Sequence, residues 1–534
     1  MATTGSIFDK EATRIEEILS KQIDTILPTM DPIWRDTVVT SQGVGATSEF
    51  SRDFQINKLF RTGMTGVIEN AGVTDIDDFV LFGEADLVNS PSGLGNRLRR
   101  NSNSVTFPDP MDSAKPKTFR LTVPMRSMYT NLSLSLGELQ MDATAAVVGD
   151  VVAPILQGFA QNMSHTLCNY WYISQNKNYR LGQIGTISTY SDTNGATGGS
   201  TATTTIRSAR LTLSDQTYDR FFTGQRIDIY PAVSGAIASN GVRRNGASDV
   251  RLSVYVASVD DMKGEVLLVS PTGFTTTPVA TDIIVYANSV ETGAAQTNAN
   301  VFTGIAGVNS WLKGESTAVA DAQLLGSEAV AGGIINVNEH PEFKSFFKGD
   351  VGVLTEHKLR QYLRRFHVAK AKYGQSIDSL VASDGVWLSY EAQKIGQYQI
   401  DRTSNLSSMN NQGSADGFAF TFEGKTYKGH TSNYVESGTV YGWKTSGNNW
   451  KRYVPNDYAG LKNMSEAPSH VPFRFVVPAL TGGSSVKYPL TNSASGLLTE
   501  NVQMPGMLRM QLIPEQPAGL KLTGVTEDRV YSDA

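Results

Sequence analysis

The residues that enzymes use for catalysis are scattered along this chain without the spacing that catalysis or metal binding requires. The triplet Gly424–Thr426 resembles the end of a phosphate-binding loop, but Ala419 occupies the position of the loop's first glycine and the flanking residues favour strands. The partial glycine motif at Gly93 does not follow a buried strand. His340 and His357 lie near acidic residues, yet no HExxH or paired His/Cys spacing occurs. We therefore predict no catalytic, cofactor-binding or metal-binding residues.

Two other candidate chemistries are weak. The segment SVDDMKG at 258–264 has too few oxygen ligands for a calcium loop and is typical of a hairpin turn. No GxSxG motif is present to position a hydrolytic serine. Cys168 is the one cysteine, so a disulfide within the chain is impossible. We expect its thiol to be buried in a helix and unreactive.

Positive charge is concentrated on one predicted helix, which Thr355 caps and Gly374 ends after Tyr373. Its apolar stripe is flanked by six basic residues, Lys358, Arg360, Arg364, Arg365, Lys370 and Lys372. One interpretation is contact with nucleic acid or with an acidic neighbour. The other is a solvated surface helix, which is the more usual role of such a charge run and the interpretation we favour.

The composition is that of a globular protein with few charges. The chain has 534 residues, 40% hydrophobic and 18% charged, with a net charge of −5. Proteins that coat DNA phosphates are more often basic. The sequence at 1–17 has no apolar core that would make it a secretory signal, so we expect intracellular synthesis.

The longest regular pattern covers Ser135–Asn176. Ser135 and Glu138 have the spacing of a capping box, and apolar residues then recur every three or four positions as far as Ile173. Alanines and glycines, among them Gly149 and Gly158, keep one surface slim, so a close-packed partner is expected there. Pro154 should kink or split the helix. Polar residues interrupt every window long enough to cross a membrane, so we predict a long buried helix and no membrane span.

The residues before this helix predict an N-terminal arm followed by a long extended loop with two β-strands. Residues 7–27 form an amphipathic pattern, and a second helix is predicted at about 54–70. Both resemble an arm laid over another body more than a self-contained domain. Residues 81–117 are loop-like. Alternating apolar residues then predict strands at 119–125 and 132–136, with a bulge near Arg126 where the alternation changes phase.

The composition changes after Asn176, where Thr, Ser, Gly and Val replace the helical pattern. Several short strands in a small space predict a closed barrel or sandwich inserted as a unit. Their predicted bounds are 208–213, 225–230, 250–259, 265–269 and 282–286. Further on we predict a helix at 385–395, strands at 418–427 and 440–443, and a final β-hairpin within 507–525.

This order of parts resembles the major capsid proteins of tailed bacteriophages, which have the Hong Kong 97-type fold. The segment KTFRLTVPMRSMYTNLSLSLGELQ followed by DATAAVVGDVVAPILQGFAQNMSHTL is similar to the extended loop and spine helix of that family. The segment beginning LTEHKLRQYLRRF is similar to the axial domain, and LIPEQPAGLKLTGV to the closing strands of the peripheral domain. The resemblance covers about Thr47 to Ala534.

The resemblance implies an α+β fold of the Hong Kong 97 type with an inserted small all-β domain. The implied divisions are an N-terminal arm at 1–75, an extended loop at 76–134, the spine helix of the peripheral domain at 135–176, an inserted β-barrel-like domain at 177–300, the axial domain and remainder of the peripheral domain at 301–475, and closing strands at 476–534. It also implies a structural protein of the virion, made in the host cytoplasm and without enzymatic activity or cofactor.

The partner implied by the resemblance is the chain itself, arranged as pentamers and hexamers in an icosahedral shell around double-stranded DNA. No sequence-specific DNA binding and no membrane contact is implied, and a scaffolding, decoration or portal protein could be a further partner. Two alternatives remain open. A phage tail or surface-array protein would also be repetitive, although such proteins favour β-rich repeats. A carbohydrate-active enzyme would need two carboxylates placed around one bond.

Contacts between subunits are the only functional sites that the sequence suggests. Arg97, Arg99 and Arg100 are clustered in the extended loop and could rest on an acidic patch of a neighbour. Some members of the family cross-link subunits through Lys–Asn bonds, and Lys115 and Lys117 are the lysines of this loop. Nothing in the sequence brings an asparagine and a carboxylate to them, so we predict no cross-link. Gly149 and Gly158 complete the predicted contact residues.

Overall fold

The computed structural model of this chain describes its residues in a series of ranges. These are 7–31, 34, 38–44, 55–65, 115–124, 126–135, 152–173, 180–192, 206–233, 236–237, 244, 254–260, 263–270, 273–274, 276–287, 289–291, 301–302, 304–317, 322–326, 335–398, 419–422, 424–446, 449–455, 473–475, 490–491 and 501–527.

The α-helices of these ranges are α1 (Ile7–Met30), α2 (Val152–Ile173), α3 (Val308–Trp311), α4 (Glu356–Lys370) and α5 (Asp384–Tyr398). The first of them, α1, packs on the body of the chain. Leu19, Ile23 and Leu27 of α1 are buried in the main apolar core, and α1 packs against α2 of the same chain. Arg452 also donates to Asp24 at 2.8 Å. This packing agrees with a segment laid over a body, here the body of its own chain, and the N-terminal arm at 1–75 stays a prediction.

Helix α2 occupies only part of the predicted Ser135–Asn176 helix. Ser135 is the last residue of a strand, and residues 136–151, with the predicted Gly149, lie outside the described ranges. Pro154 lies in the first turn of α2, where its missing N–H breaks no helical hydrogen bond. No kink is therefore needed at this proline. The second half of α2 is buried on all sides, from Leu167 to Ile173.

The first sheet is assembled around one long strand. Its strands are β1 (Val38–Val44), β4 (Arg126–Ser135), β20 (Trp450–Pro455), β21 (Phe473–Phe475), β22 (Leu490–Thr491) and β23 (Asn501–Pro514). Strand β23 pairs with β20 at one end and with β4 along much of its length, and it also pairs with β21 and β22. Strand β1 extends the sheet by pairing in parallel with β20. Segments distant in the sequence thus depend on a single shared strand.

Within 177–300 six of the described strands form a closed barrel. In the strand that contains Val266 and Leu268 alternate residues are buried, because one face of the strand lines the interior. The predicted 258–264 turn joins two of the strands as a hairpin, with Gly264 at a positive φ of 64°. The barrel strands are β5 (Gly182–Asp192), β6 (Ile206–Leu213), β7 (Arg226–Tyr230), β10 (Val254–Asp260), β11 (Glu265–Val269) and β12 (Ile283–Tyr286).

Strand β5 was not predicted, because its Thr, Ser and Gly residues give it little apolar alternation. The independence of this unit as an inserted domain stays a prediction. Two short pairs flank the barrel strands. They are β8 (Ala232–Val233) with β9 (Ala236–Ile237), and β13 (Val290–Glu291) with β14 (Val301–Phe302).

The second sheet carries helices α4 and α5 on one face. Its strands are β15 (Phe346–Lys348), β16 (Ser379–Ala382), β17 (Ala419–Phe422), β18 (Lys425–Thr431), β19 (Val440–Trp443) and β24 (Leu520–Leu522). Leu363 of α4 and Trp387 of α5 share an apolar cluster with Leu380 and Leu520 of the sheet. The other face, with Val381, joins the main core. The predicted cap is confirmed, since the Thr355 side chain accepts a hydrogen bond from the Lys358 N–H.

Strands β2 (Gln55–Thr65) and β3 (Lys115–Pro124) form a separate antiparallel pair, which we call the ribbon. The prediction of a helix at about 54–70 is therefore wrong. Ile56, Leu59 and Phe60 have helical spacing, but pairing with a distant strand decides the conformation. The expected change of phase near Arg126 coincides with a change of sheet, since β3 ends at Pro124 and pairs with β2, whereas β4 begins at Arg126 and pairs with β23.

The predicted final hairpin at 507–525 is also wrong. Strand β23 belongs to the first sheet, whereas β24 pairs with β15 and β19 in the second. The segment between β23 and β24 crosses from one sheet to the other and passes very close to its neighbours at Gly519. A Cβ atom at Gly519 would lie 2.4 Å from the Gly442 carbonyl oxygen, so only glycine fits this crossing.

Candidate assembly surfaces

The residues first considered for chemistry are placed in structural roles. Lys425 and Thr426 open β18, directly after a hairpin turn at Gly424, which has a φ of 75°. The His340 ring packs edge-on against Phe119, with ring centroids 4.6 Å apart. Among the described residues, no group of three or more His, Cys, Asp or Glu side chains could hold a metal ion.

Cys168 is buried within α2. Burial, together with the nearby charge of Asp31, raises the pKa of its thiol well above the ordinary value. Asp31 in turn accepts a hydrogen bond of 2.8 Å from the Ser432 hydroxyl. A thiol that resists ionisation is a poor nucleophile, so this cysteine is a packing residue.

The ribbon is anchored at one end only, as far as the described residues extend. Leu121 and Val123 of β3 are buried, and the Phe119 ring lies edge-on to Phe343 at a centroid distance of 5.1 Å. The register runs from Gln55 opposite Pro124, next to this anchor, to Thr65 opposite Lys115 at the other end. Within the described ranges neither outer edge of the ribbon is paired with a further strand.

The predicted contact residues of the extended loop lie at the free end of the ribbon or beyond it. Lys115 is opposite Thr65, and Lys117 is opposite Thr62. Residues 66–114 connect the two strands at this end and contain Arg97, Arg99 and Arg100, which lie outside the described residues. The ribbon therefore presents open strand edges together with two lysines at the end farthest from the anchor.

Gly158 lies on the less buried half of α2, where Gln157 and Gln161 are exposed. A Cβ atom built on Gly158 would meet nothing within 4 Å. The close packing expected there from the sequence is therefore not made by any residue that the structure describes. A contact of Gly158 with a neighbouring subunit stays a prediction, as it does for Gly149.

A buried polar junction holds the barrel against the helices and loops of the body. Arg220, in a short 3₁₀ turn of the barrel unit, is fully buried and donates two hydrogen bonds to the Tyr434 carbonyl, at 3.1 and 2.8 Å. From the side of α2, Asn169 donates to the Arg220 carbonyl at 3.0 Å and to the Tyr286 hydroxyl at 2.6 Å. Burial lowers the pKa of the Arg220 guanidinium, while Glu436 and Asp215 act to raise it.

His165 belongs to the same junction. Its Nε2 atom lies 3.1 Å from the Asp219 carbonyl oxygen, and its ring packs edge-on against Phe222 and Tyr434. Burial lowers the pKa of this imidazole to about 4, and the hydrogen bond to Asp219 only partly opposes that effect. The junction therefore holds a neutral histidine at neutral pH.

Helix α4 uses several of its basic residues within the chain. Lys358 donates to the Val351 and Val353 carbonyls at 2.8 and 2.9 Å. Arg360 pairs with Glu356 and lies 5.5 Å from the centre of the Phe422 ring. Lys370 donates to the Pro341 carbonyl. These three side chains favour the interpretation of α4 as a surface helix. Arg364 and Arg365 lie on its exposed side.

Helix α5 has an exposed acidic side that was not recognised in the sequence. Asp384 and Glu391 are exposed, and Leu388 between them is exposed as well. The three residues lie at positions i, i+4 and i+7, which is the spacing of a single helical face. That spacing was the signal that could have identified this surface before the structure was known.

No helix in the described ranges is both long enough and apolar enough to span a membrane.

Comparison with known proteins finds similarity at the level of structure alone. No family model matches the chain, and no curated protein matches it. Phage capsid proteins are among the solved structures to which it is similar. A capsid protein of cyanophage A-1(L) is 9% identical over 92% of each chain, with a TM-score of 0.35. One from Myoviridae phage XM1 is 9% identical over 92% of this chain and 90% of its own, with a TM-score of 0.33.

A protein of Mycobacterium phage Adephagia is 9% identical over 89% of this chain and 82% of its own, with a TM-score of 0.30. At such TM-scores superposition carries no argument about individual residues. The functional reasoning therefore depends on the surfaces of this chain.

Proposed function

We propose that this chain is a structural shell protein, the major capsid protein of a tailed phage, which assembles through pentamers and hexamers into an icosahedral head around double-stranded DNA. The proposal includes no enzymatic activity and no cofactor. It places the protein in the virion after synthesis in the host cytoplasm. Self-association is its principal interaction.

The observation that carries this proposal is the ribbon. A two-stranded pair is at best marginally stable in water, and its outer edges offer rows of unpaired N–H and C=O groups. Among the side chains that the structure describes, Phe119, Leu121 and Val123 hold the ribbon to the body. A neighbouring subunit that covers the ribbon would pair with those N–H and C=O groups. An enzyme or binding module that acts as a monomer has no need of such a projecting ribbon.

The rest of the described chain suits a rigid repeating unit. Helices α1 and α2, the first sheet and one face of the second sheet share a single apolar core. Such a body resists deformation because protein interiors are close-packed. A rigid body with one projecting element can make the same contact repeatedly, and this is what a closed shell requires.

The test is direct observation of the assembled protein. The full chain is expressed, purified and examined by negative-stain electron microscopy and sedimentation velocity. Closed shells, or rings that match pentamers and hexamers, are the expected result. Tubes or flat sheets would instead favour a tail or surface-array protein, and monodisperse monomers at every concentration would contradict a shell function.

A variant links the assembly to the ribbon. Phe119→Ala removes the aromatic anchor against Phe343 and His340, so the ribbon should lose its fixed direction relative to the body. We expect the body of the Phe119→Ala subunit to remain folded, and we expect the variant to form fewer closed particles than the parent. The matched control is Phe347→Ala, which removes an exposed phenylalanine from edge strand β15 without touching the ribbon. Equal loss of particles in both variants would argue against the ribbon as the assembly element.

A further inference from the structure

Helices α4 and α5 present surfaces of opposite charge on the same side of the second sheet. Residues from the inner sides of both helices, Leu363 and Trp387, are buried in one cluster with Leu380 and Leu520. The outer sides of both helices therefore lie away from the sheet. We call these outer sides the α4 face (Arg364, Arg365 and Val368) and the α5 face (Asp384, Leu388 and Glu391).

The α4 face combines positive charge with an exposed aliphatic side chain. Val368 is 74% exposed, the largest exposure among the big hydrophobic residues of the described ranges. Arg364 and Arg365 lie one turn before it and are exposed too. Phosphate binding would not require a valine at the centre of the surface. A protein surface with its own apolar centre would bury it favourably.

The α5 face has the complementary arrangement. Leu388 is 46% exposed, and acidic residues lie about one turn to either side of it, Asp384 before and Glu391 after. Each face is therefore an aliphatic side chain bordered by charge, and the two faces differ in the sign of that charge. Complementary charge at an interface guides the two surfaces together and selects the correct partner.

We propose that the α4 face of one copy of this chain binds the α5 face of a second copy. The proposal rests on the proposed function, in that it names one of the contacts by which subunits associate. A contact between two different surfaces of identical subunits leaves a free α5 face on one copy and a free α4 face on the other. Such a contact can be repeated until a ring closes.

The experiment reverses the charge on one face at a time in the full chain. Arg365→Glu places a carboxylate opposite the acidic α5 face, and Glu391→Lys places an ammonium opposite the basic α4 face. Like charges brought together at an interface oppose association, so each variant should need about tenfold higher concentration to associate. Sedimentation velocity across a concentration series gives the concentration at which half of the chains are associated, which we call the midpoint. Circular dichroism verifies that each variant is folded.

Mixing the two variants provides the decisive readout. In a mixture, Arg365→Glu copies meet Glu391→Lys copies with opposite charges, so association should return to near the parental midpoint. The same recovery is expected when both changes are made in one chain. Recovery by mixing requires contact between copies, because a folding defect within one copy would persist.

Control variants reverse exposed charges elsewhere. Lys263→Glu changes the barrel hairpin and Glu339→Lys changes a loop, with the same alterations of net charge. Both should associate as the parent does. If the parent associates but Arg365→Glu and Glu391→Lys do so equally well, or if mixing fails to restore association, the proposed contact is wrong while the shell function stands.

Two further outcomes would also overturn the proposed contact. A parent chain that remains monomeric would reject both the contact and the shell function. Loss of retention on a double-stranded DNA column by Arg365→Glu, without any change in association, would assign the α4 face to nucleic acid.

Discussion

Gly307 and Gly158 differ completely in the space around their α-carbons. A Cβ atom on Gly307 would lie 2.1 Å from the Trp171 carbonyl oxygen, whereas one on Gly158 would meet nothing within 4 Å. The sequence identified Gly158 as a close-packing position and gave no sign of Gly307. Small residues on a helix indicate where close approach is possible, but only the fold shows where another backbone arrives.

This contrast predicts opposite effects of one substitution. Gly307→Ala should lower the free energy of unfolding by at least about 1–3 kcal/mol, because the new methyl group overlaps the backbone of α2. Gly158→Ala should raise it by about 0.5–1 kcal/mol, since alanine is the better helix residue and has room. Thermal unfolding of the two purified variants against the parent measures both. Equal midpoints for all three proteins would contradict the packing described.

His165 predicts how stability depends on pH. Its folded-state pKa of about 4 is below the ordinary value of 6.5, so the unfolded chain takes up a proton on this residue before the folded chain does. The free energy of unfolding should therefore fall as the pH drops from about 6.5 to about 4, by roughly 3 kcal/mol for this group. His165→Gln should flatten that part of the profile. An unchanged slope in the variant, measured by urea unfolding at several pH values, would show that other groups cause it.

Helices and strands could be predicted from the sequence where neighbouring residues determine them. Helix α4 has its cap at Thr355, and the 3₁₀ turn Ala371–Tyr373 that follows it ends at Gly374, where φ is 70°. The cap and the glycine stop were both predicted from neighbouring residues. Strand β19 was predicted with its observed bounds. Strand β2 was mistaken for a helix, and β24 was assigned to the wrong sheet. In both cases the partner strand is distant in sequence, so local pattern carries no information about it.

The Thr355 cap predicts a modest and specific effect. Thr355→Ala removes the acceptor of the Lys358 N–H and should lower the free energy of unfolding by about 1 kcal/mol. Thr355→Ser retains a hydroxyl and should be within a few tenths of the parent. Urea unfolding followed by circular dichroism compares the three proteins. A serine variant as unstable as the alanine variant would show that the threonine methyl group, and not the cap, is responsible.

For the whole molecule, the barrel and the body are joined by buried polar groups as well as by apolar contact. No sequence pattern predicted that Arg220 would be fully buried with its guanidinium on the Tyr434 carbonyl. Arginine is suited to this position because it can satisfy several acceptors while remaining charged. The barrel and its strands other than β5 could be predicted from composition and pattern, whereas the attachment of the barrel depended on residues whose spacing in the sequence is irregular.

Arg220→Ala therefore predicts different results in two contexts. In the full chain it leaves the Tyr434 carbonyl without this donor and should lower the free energy of unfolding by about 1–3 kcal/mol. In residues 177–300 expressed alone, which we expect to fold with a two-state transition, Tyr434 is absent and the effect should be smaller. Thermal unfolding of Arg220→Ala and its parent, measured once in the full chain and once in residues 177–300, gives the comparison. An equal loss in both contexts would mean that Arg220 acts within the barrel.

The arginines of the 66–114 connection give a prediction for assembly. Replacing Arg97, Arg99 and Arg100 together by Ser should leave the subunit soluble but lower the fraction that sediments as shells. Each exposed pair contributes only about 0–1 kcal/mol, yet a shell repeats the contact in every subunit. The loss should be clearest at low salt, because salt screens the pairs of the parent. Equal shell fractions across a salt series would leave these arginines as solvated residues.

Strand β23 has a consequence for the timing of synthesis. Ser135 of β4 is paired with Asn501 of β23, so β4 leaves the ribosome long before its partner exists. At typical translation speeds of about 5–20 residues per second, the interval is on the order of 20–70 s. During that interval β4 lacks its partner, and β20 lacks it too from the time β20 is made until β23 follows. The first sheet can therefore close only once the chain has been translated through β23, so a nascent chain cannot offer a finished surface to a neighbour.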